Sequence, residues 1–354
     1  MAEHYDAAII GLGPAGATLA RLLGENMRVA AIDKKSPGGE HTKPCGGLLA
    51  PDAQRTLSRF NLTLPKAVLV DPQIFAVKTL DTEQRLLRYY PRFYINLNRE
   101  KFDAWLVSLI PSGVDIIDNA VCTGLRRLDD GMFEISFSQG GAARRVITAQ
   151  RVIGADGAGS IVRRTLFPKS KIRRYTAIQQ WFKEKHATPF YSCVFDKSIT
   201  DAYCWSVSKD GYFILGGAFP TNGAQERFEV LKNTLTERGF ELGEPIKTEA
   251  CLVSYPRRIW DFRLGEAGAF LIGEAAGFIS PSSLEGISYA LDSANRLAEV
   301  ITASGANENR RYARAARGIK AKLLLKYIKS RFMYKAMPRK LIMKSGLQSI
   351  KVAE

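Results

Sequence analysis

Cysteine and histidine are scarce in this 354-residue chain, with five and three copies. Cys45, Cys122, Cys193, Cys204 and Cys251 include no C-x-x-C pair. That spacing argues against a zinc site and against a disulfide framework, and points to a reducing compartment. His4, His41 and His186 fall in no nucleophile-and-base arrangement, so a hydrolase is not expected. No metal is expected. No uncharged apolar run reaches the roughly 18 residues of a membrane-spanning helix. The opening "MAEHYD" has no basic segment before its apolar stretch, so no secretory signal is expected and the protein reads as cytoplasmic or peripheral. Internal repeats and low-complexity segments are also lacking. What is there is 46% hydrophobic and 10% aromatic residues, enough for two domains or one large domain with an insert.

The C-terminal part lacks acid. Residues 305–354 carry 14 Lys and Arg against two Glu, while the other 304 residues hold 37 basic and 33 acidic side chains. The basic character belongs to a tail, and the body is nearly balanced.

The N-terminal stretch "YDAAIIGLGPAGATLARLLGENMRVAAIDKK" predicts a buried strand to Gly11, a glycine turn, a helix and a second strand ending at Asp33. Gly11 permits the tight turn, Gly13 lets the backbone approach a pyrophosphate, and Gly16 lets helix and strand pack closely. The helix start at Pro14 and Ala15 offers free N–H groups to phosphates. Asp33 stands where a carboxylate accepts from ribose hydroxyls. Lys34 and Lys35 fit a 2′-phosphate or simple solvation, so this stretch leaves NAD and FAD both open.

Two further segments share one physical form. "RVIGADGAGSIVRR" (151–164) is an apolar strand delivering Asp156 and Gly157. "FLIGEAAGFISPSSLEGISYAL" (270–291) delivers Glu274, followed by Ala275 and Gly277, and then Gly286 and Ile287 at a helix start. In both, a carboxylate at a strand end is followed by residues so small that a ligand can lie against the backbone. Glu274 also reads as a solvated strand-end acid.

In order and spacing, these three segments resemble the FAD-dependent monooxygenases and reductases built like p-hydroxybenzoate hydroxylase. "KPCGGLL" (43–49), "NREKFDAWL" (98–106) and "YCWSVSKDGYFILGGA" (203–218) narrow the resemblance to the geranylgeranyl reductase family, over most of residues 1–305. The resemblance implies FAD as cofactor. The first segment would hold the ADP half, with Gly11, Gly13, Pro14, Ala15, Gly16, Asp33 and Lys34. Asp156 and Gly157 would support the riboflavin part and the pyrophosphate. Glu274 would meet ribityl and pyrophosphate hydroxyls. Ala275, Gly277, Gly286 and Ile287 would face the ring and ribityl chain, and Cys45, Gly46, Gly47 and Arg99 would also touch FAD. The chain departs from the family at Glu274, usually Asp, at Leu284, usually Gly, and at Val207-Ser208, usually Phe-Pro.

The expected fold is an α/β, Rossmann-like FAD-binding domain of the p-hydroxybenzoate hydroxylase type, with an antiparallel-sheet substrate domain and C-terminal helices. Residues 1–70, 96–165 and 265–305 would form the discontinuous FAD domain. Residues 71–95 and 166–264, where the pattern turns to period two, would form the sheet, and 306–354 the basic helical tail. A sheet over a flavin makes a roof for a substrate cavity. Trp181, Tyr203, Trp205 and Phe213 are its substrate-lining candidates, although most such aromatics simply pack the sheet.

Three functions stay open. The first is reduction of C=C bonds in a polyprenyl or other isoprenoid lipid, with Cys45 as proton donor and Tyr203 or Tyr212 behind it. Cys45 reads equally as a small buried apolar residue. The second is flavin-dependent hydroxylation, and the third a non-catalytic flavoprotein that binds a lipid carrier or senses redox state. No second nucleotide fold is visible, so NAD(P)H would visit transiently or electrons would come from another donor. In the tail, Tyr312, Ala316, Ile319, Leu323 and Tyr327 share one helical stripe with basic residues around it. It reads as a packing helix or as an anchor to an anionic membrane surface; nucleic acid is not the expected partner. On the membrane reading, a chain ending at Gly305 would lose bilayer binding and keep FAD.

Overall fold

The structure, a computed structural model, describes residues 3–36 and 43–352. His41 lies outside these.

Strand Glu3–Ile10 is buried on both faces from Ala7 onward, as a central parallel strand must be. It pairs in parallel with Val29–Ile32 on one side and Arg145–Gly154 on the other. Beyond these lie Asp115–Ile117 and Ala269–Leu271, also parallel. The hairpin Ala120–Arg127/Phe133–Gln139 adds antiparallel to Arg145–Gly154, and Gly265–Glu266 closes the far edge. Register places Ile10 opposite both Gly154 and Ile32, and Gly154 opposite Leu271. Four of the strands therefore end level, and three of them deliver the glycine-rich segments together at the sheet's carboxyl edge. In open α/β sheets that edge is where ligands bind.

A second sheet of seven strands runs in the order Lys247–Ser254, Arg174–Lys183, Tyr212–Pro220, Cys204–Lys209, Tyr191–Phe195, Ala76–Asp81, Leu86–Pro91. All its pairs are antiparallel except Tyr191–Phe195 with Ala76–Asp81, which is parallel. A fully antiparallel sheet was the sequence expectation. The exception arises because the chain leaves this sheet after Pro91, builds part of the first sheet, and re-enters by a crossover.

Alternation gives the second sheet two unlike faces. Ile178, Phe182, Phe213, Leu215 and Phe219 pack under helix Ala224–Thr236, against Phe228, Leu231 and Leu235. The residues between them, such as Gln179, Trp181 and Tyr212, face a cavity beside the glycine segments.

The tail is built into the body. Helices Glu308–Ala315 and Arg317–Met333 bury Tyr312, Ala316, Ile319 and Leu323 in the core of the first sheet, and Tyr312 donates to the Leu271 carbonyl. Helix Ala336–Ser345 is held by Arg339, whose guanidinium meets Asp81 and Glu83. Ending the chain at Gly305 would uncover that core, which corrects the expectation of an intact body without the tail. Among the described residues no helix is long and apolar enough to cross a membrane.

Candidate functional site

The glycine turn shows why each glycine stands where it does. Gly11 has φ +98°, and a Cβ there would sit 2.8 Å from the Ala155 carbonyl oxygen. A Cβ on Gly16 would run into the Gly11 carbonyl. Gly13 is different: a Cβ there meets nothing within 4 Å. Two glycines are demanded by the protein itself and the third borders open space. Pro14 then opens helix Pro14–Leu23 at its first position, where its missing N–H costs no helical bond.

Asp33 accepts from Leu12 N at 2.5 Å and Lys35 N at 3.0 Å, which clamps the turn to the second strand. Lys34 is exposed. Its neighbour Lys35 turns inward to Asp103, which also holds Arg99 at 2.7 Å. From sequence Lys35 fits solvation or a 2′-phosphate; its partner here, Asp103, lies 68 residues away.

Asp156 accepts through Oδ2 from Ile161 N, at the start of helix Ile161–Leu166, at 2.7 Å. Its Oδ1 is buried with no hydrogen-bond partner, and burial raises the carboxyl pKa. Gly157 and Gly159 beside it also border open space. Arg163, which sequence reasoning treated only as part of a basic helix start, ties the segments together. It donates to the carbonyls of Ala275 at 3.1 Å and Asp261 at 2.7 Å, and burial pushes its pKa down to about 10.

Glu274 is committed to protein partners. Oε1 accepts from Ser254 N at 2.8 Å, and Oε2 pairs with the Lys43 ammonium. The longer acid thus reaches the edge strand of the second sheet and the first residue of "KPCGG". The expected contact with ribityl hydroxyls has only its remaining lone pairs. Ala275 is buried, and Gly277 takes φ +89° against the Asp261 carbonyl. Gly286 caps helix Ile287–Thr302, where Glu285 accepts from Ser288 N at 2.7 Å. Leu284 holds φ +51°, a left-handed conformation suited to the glycine that the family resemblance expects there.

The Cys45 segment faces the second sheet across a cavity of about 180 Å³, bordered by Cys45, Arg99, Trp181, Lys209, Tyr212 and Glu249. The Cys45 thiol accepts from Gly47 N at 3.4 Å. Burial works against the Arg99 charge, but Asp103 and Cys45 outweigh it and raise its pKa. Gly47 has φ +64°, and a Cβ there would collide with the Lys209 ammonium and the Leu97 carbonyl. Gly46 lies against the Trp205 ring, whose Nε1 is buried with no partner. Trp181 donates to Glu249 at 2.8 Å, and Tyr212 stands edge-on to it, partly exposed at the cavity.

Three expected residues stand elsewhere. Trp205 lies behind Gly46 and does not border this cavity. Phe213 is fully buried on the opposite face, in contact with Phe190 and His186. Strand alternation puts it there because Tyr212 faces the cavity, so it is not a substrate-lining residue. Tyr203 does not border this cavity; its hydroxyl donates to the Ser283 carbonyl at 2.5 Å. Burial raises that phenol's pKa well above 10 and keeps its proton on.

Lys209 is the residue here that sequence reasoning missed, reading "KDG" only as a hairpin. It is buried, donates to the carbonyls of Leu97 at 2.5 Å and Gly47 at 3.4 Å, and burial lowers its pKa to about 8. Because the fold disfavours the charged form, stability is lowered below pH 8 and recovers as pH rises towards about 10.5. Replacing Lys209 by Met should remove that rise, on the order of 3 kcal/mol in the difference between the two proteins' unfolding profiles from pH 7 to 10.5. Parallel profiles would show that Lys209 is not titrating in the fold.

No family profile matches the chain. Protein CbrA of Escherichia coli O139:H28 is 53% identical over 350 residues, covering 98% of each chain. The chain belongs to the CbrA family. Among solved structures, a geranylgeranyl bacteriochlorophyll reductase-like protein from Thermoplasma acidophilum superposes with TM-score 0.82 at 20% identity, covering 99% of this chain and 92% of that one. A triple mutant of the flavin-dependent brominase Bmp2 gives TM-score 0.73 at 17% identity over 97% and 94%. This CbrA-family chain therefore has the p-hydroxybenzoate hydroxylase-type FAD-binding fold. The residues fit the FAD that the fold implies: open space at Gly13, Gly157 and Gly159, and an unpartnered Asp156 oxygen, at one carboxyl edge.

Proposed function

We propose that this protein is an FAD-dependent oxidoreductase that reduces C=C bonds in a polyprenyl or other isoprenoid lipid. The observation that carries the FAD part is the level ending of three strands in glycine segments bordering open space. Backbone N–H groups after Gly13 would face the pyrophosphate, Asp33 a ribose, and Asp156 Oδ1 a hydroxyl. Arg99 and the Cys45–Gly47 backbone would lie towards the ring. When bound, FAD would supply the hydride, with NAD(P)H or another donor as the source of electrons.

Reduction of a double bond also needs a proton on the second carbon. Cys45 Sγ would deliver it, and Arg99 and Lys209 nearby would hold the resulting thiolate. Tyr212 would shield or orient substrate at the cavity mouth. Tyr203, tied to Ser283, would act as a positioning residue. In Cys45→Ser, FAD content should be unchanged while turnover falls by about 10²-fold or more. Full turnover at equal flavin content would remove the donor role.

One observation favours flavin-dependent hydroxylation as a second reading: the cavity is bordered by Arg99, Lys209 and Glu249, a polar set for a hydrocarbon. Oxygen consumption matched to NAD(P)H oxidation with substrate present would select hydroxylation. Reduction proceeding without oxygen would select the first reading. Mass spectrometry of lipid co-purified from the native host would identify the substrate class.

A further inference from the structure

The helices that bury one face in the body present a second, opposite face to the outside. At about 100° per residue, Leu325, Ile328 and Phe332 in helix Arg317–Met333 share a stripe roughly opposite the buried Ile319, Leu323 and Ser330. All three are more than half exposed. Lys329 flanks the stripe on one side and Arg331 on the other, both exposed. Helix Ala336–Ser345 repeats the arrangement. Arg339 and Met343 point inward, while Met337 and Leu341 are exposed at 68% and 66%.

The charge around these side chains has one sign. From residue 309 to 352 the chain has 14 Lys and Arg and no acid. A second copy of the chain would oppose cation to cation across a symmetric contact, which disfavours self-association. Apolar tips standing between long cationic side chains match the headgroup layer of an anionic bilayer. There the tips enter the acyl boundary while the ammonium groups stay at the phosphates.

We infer that the outer faces of helices Arg317–Met333 and Ala336–Ser345 dock on an anionic lipid bilayer, through Leu325, Ile328, Phe332, Met337 and Leu341. The inner side of these helices reaches the glycine-rich segment that follows Glu274. Tyr334, between the two helices, donates to the Ser282 carbonyl at 3.1 Å, and the next carbonyl, Ser283, accepts from Tyr203. Membrane docking would bring that segment to where an insoluble substrate resides. This consequence rests on the lipid-reductase reading; the docking itself does not.

The test is flotation of the full chain with phosphatidylcholine vesicles, with and without phosphatidylglycerol, and flavin content is measured in the same samples. Wild type should float with phosphatidylglycerol vesicles, bind plain phosphatidylcholine weakly, and be released at about 1 M salt, where the Debye length falls to ~3 Å. The triple variant L325Q/I328Q/F332Q should lose about tenfold or more of that binding, with an unchanged melting temperature. The double variant M337Q/L341Q, on a separate helix, should lose part of it and serves as the check if the triple variant misfolds. Undiminished binding by both variants would overturn the inference. So would failure of wild type to float, or a wild-type dimer that the triple variant converts to monomer without vesicle binding. Loss of flavin with intact flotation would count against the redox reading alone.

Discussion

Gly13→Val should give a folded protein that retains no FAD. The backbone at Gly13 is extended, with φ −73° and ψ −172°, a conformation valine adopts without strain. A Cβ there meets nothing within 4 Å, so the side chain starts into open space and not into the protein. The added methyl groups instead fill the space where a pyrophosphate would approach the helix start. The expected result is a near-normal melting curve and loss of the flavin absorbance. Gly16→Val is the informative contrast. Its side chain would strike the Gly11 carbonyl, so that variant should fail to fold at all. Full flavin in Gly13→Val would mean that the phosphates lie elsewhere.

Arg339→Met should be among the most destabilising single changes outside the glycine turn. Asp81 is buried at 1% exposure, and Arg339 reaches it through Nε at 2.6 Å while holding Glu83 at 3.0 Å and the Met333 carbonyl at 3.1 Å. Removing the guanidinium leaves a buried carboxylate uncompensated, at a cost of about 3–5 kcal/mol. Urea unfolding at neutral pH measures it. Adding Asp81→Asn to Arg339→Met should restore much of the loss, since the buried charge goes with its partner. A change below about 1 kcal/mol for Arg339→Met would show that the last helix is not anchored through this pair.

The parts legible in the sequence are those where local chemistry and chain order coincide. Gly11 and Gly16 were readable because a strand, a tight turn and a helix in sequence leave no room for Cβ atoms. The inward stripe of Tyr312, Ala316, Ile319 and Leu323 was readable from its spacing. Its meaning was not, because an amphipathic helix packs on a protein or on a membrane by the same pattern. The structure shows one face packed and a second apolar stripe, Leu325, Ile328 and Phe332, outside it. Partnerships across long separations were illegible. Lys43 with Glu274, Lys35 with Asp103, and Arg163 with the Ala275 carbonyl each depend on how the sheets meet. Phe213 was placed on the wrong face because strand alternation gives two sets of residues but does not say which set faces the cavity. Lys209 was hidden for a different reason: a lysine at a hairpin is ordinarily solvated, and only the Gly47 and Leu97 carbonyls above it explain its burial.

The most direct measurement of the central claim is the absorbance spectrum of the native, full-length protein as purified, with the released cofactor identified by mass spectrometry. The protein should be yellow and carry FAD at about one per chain, as a single nucleotide-binding edge implies. A colourless protein that binds NADH and takes up no FAD would contradict it.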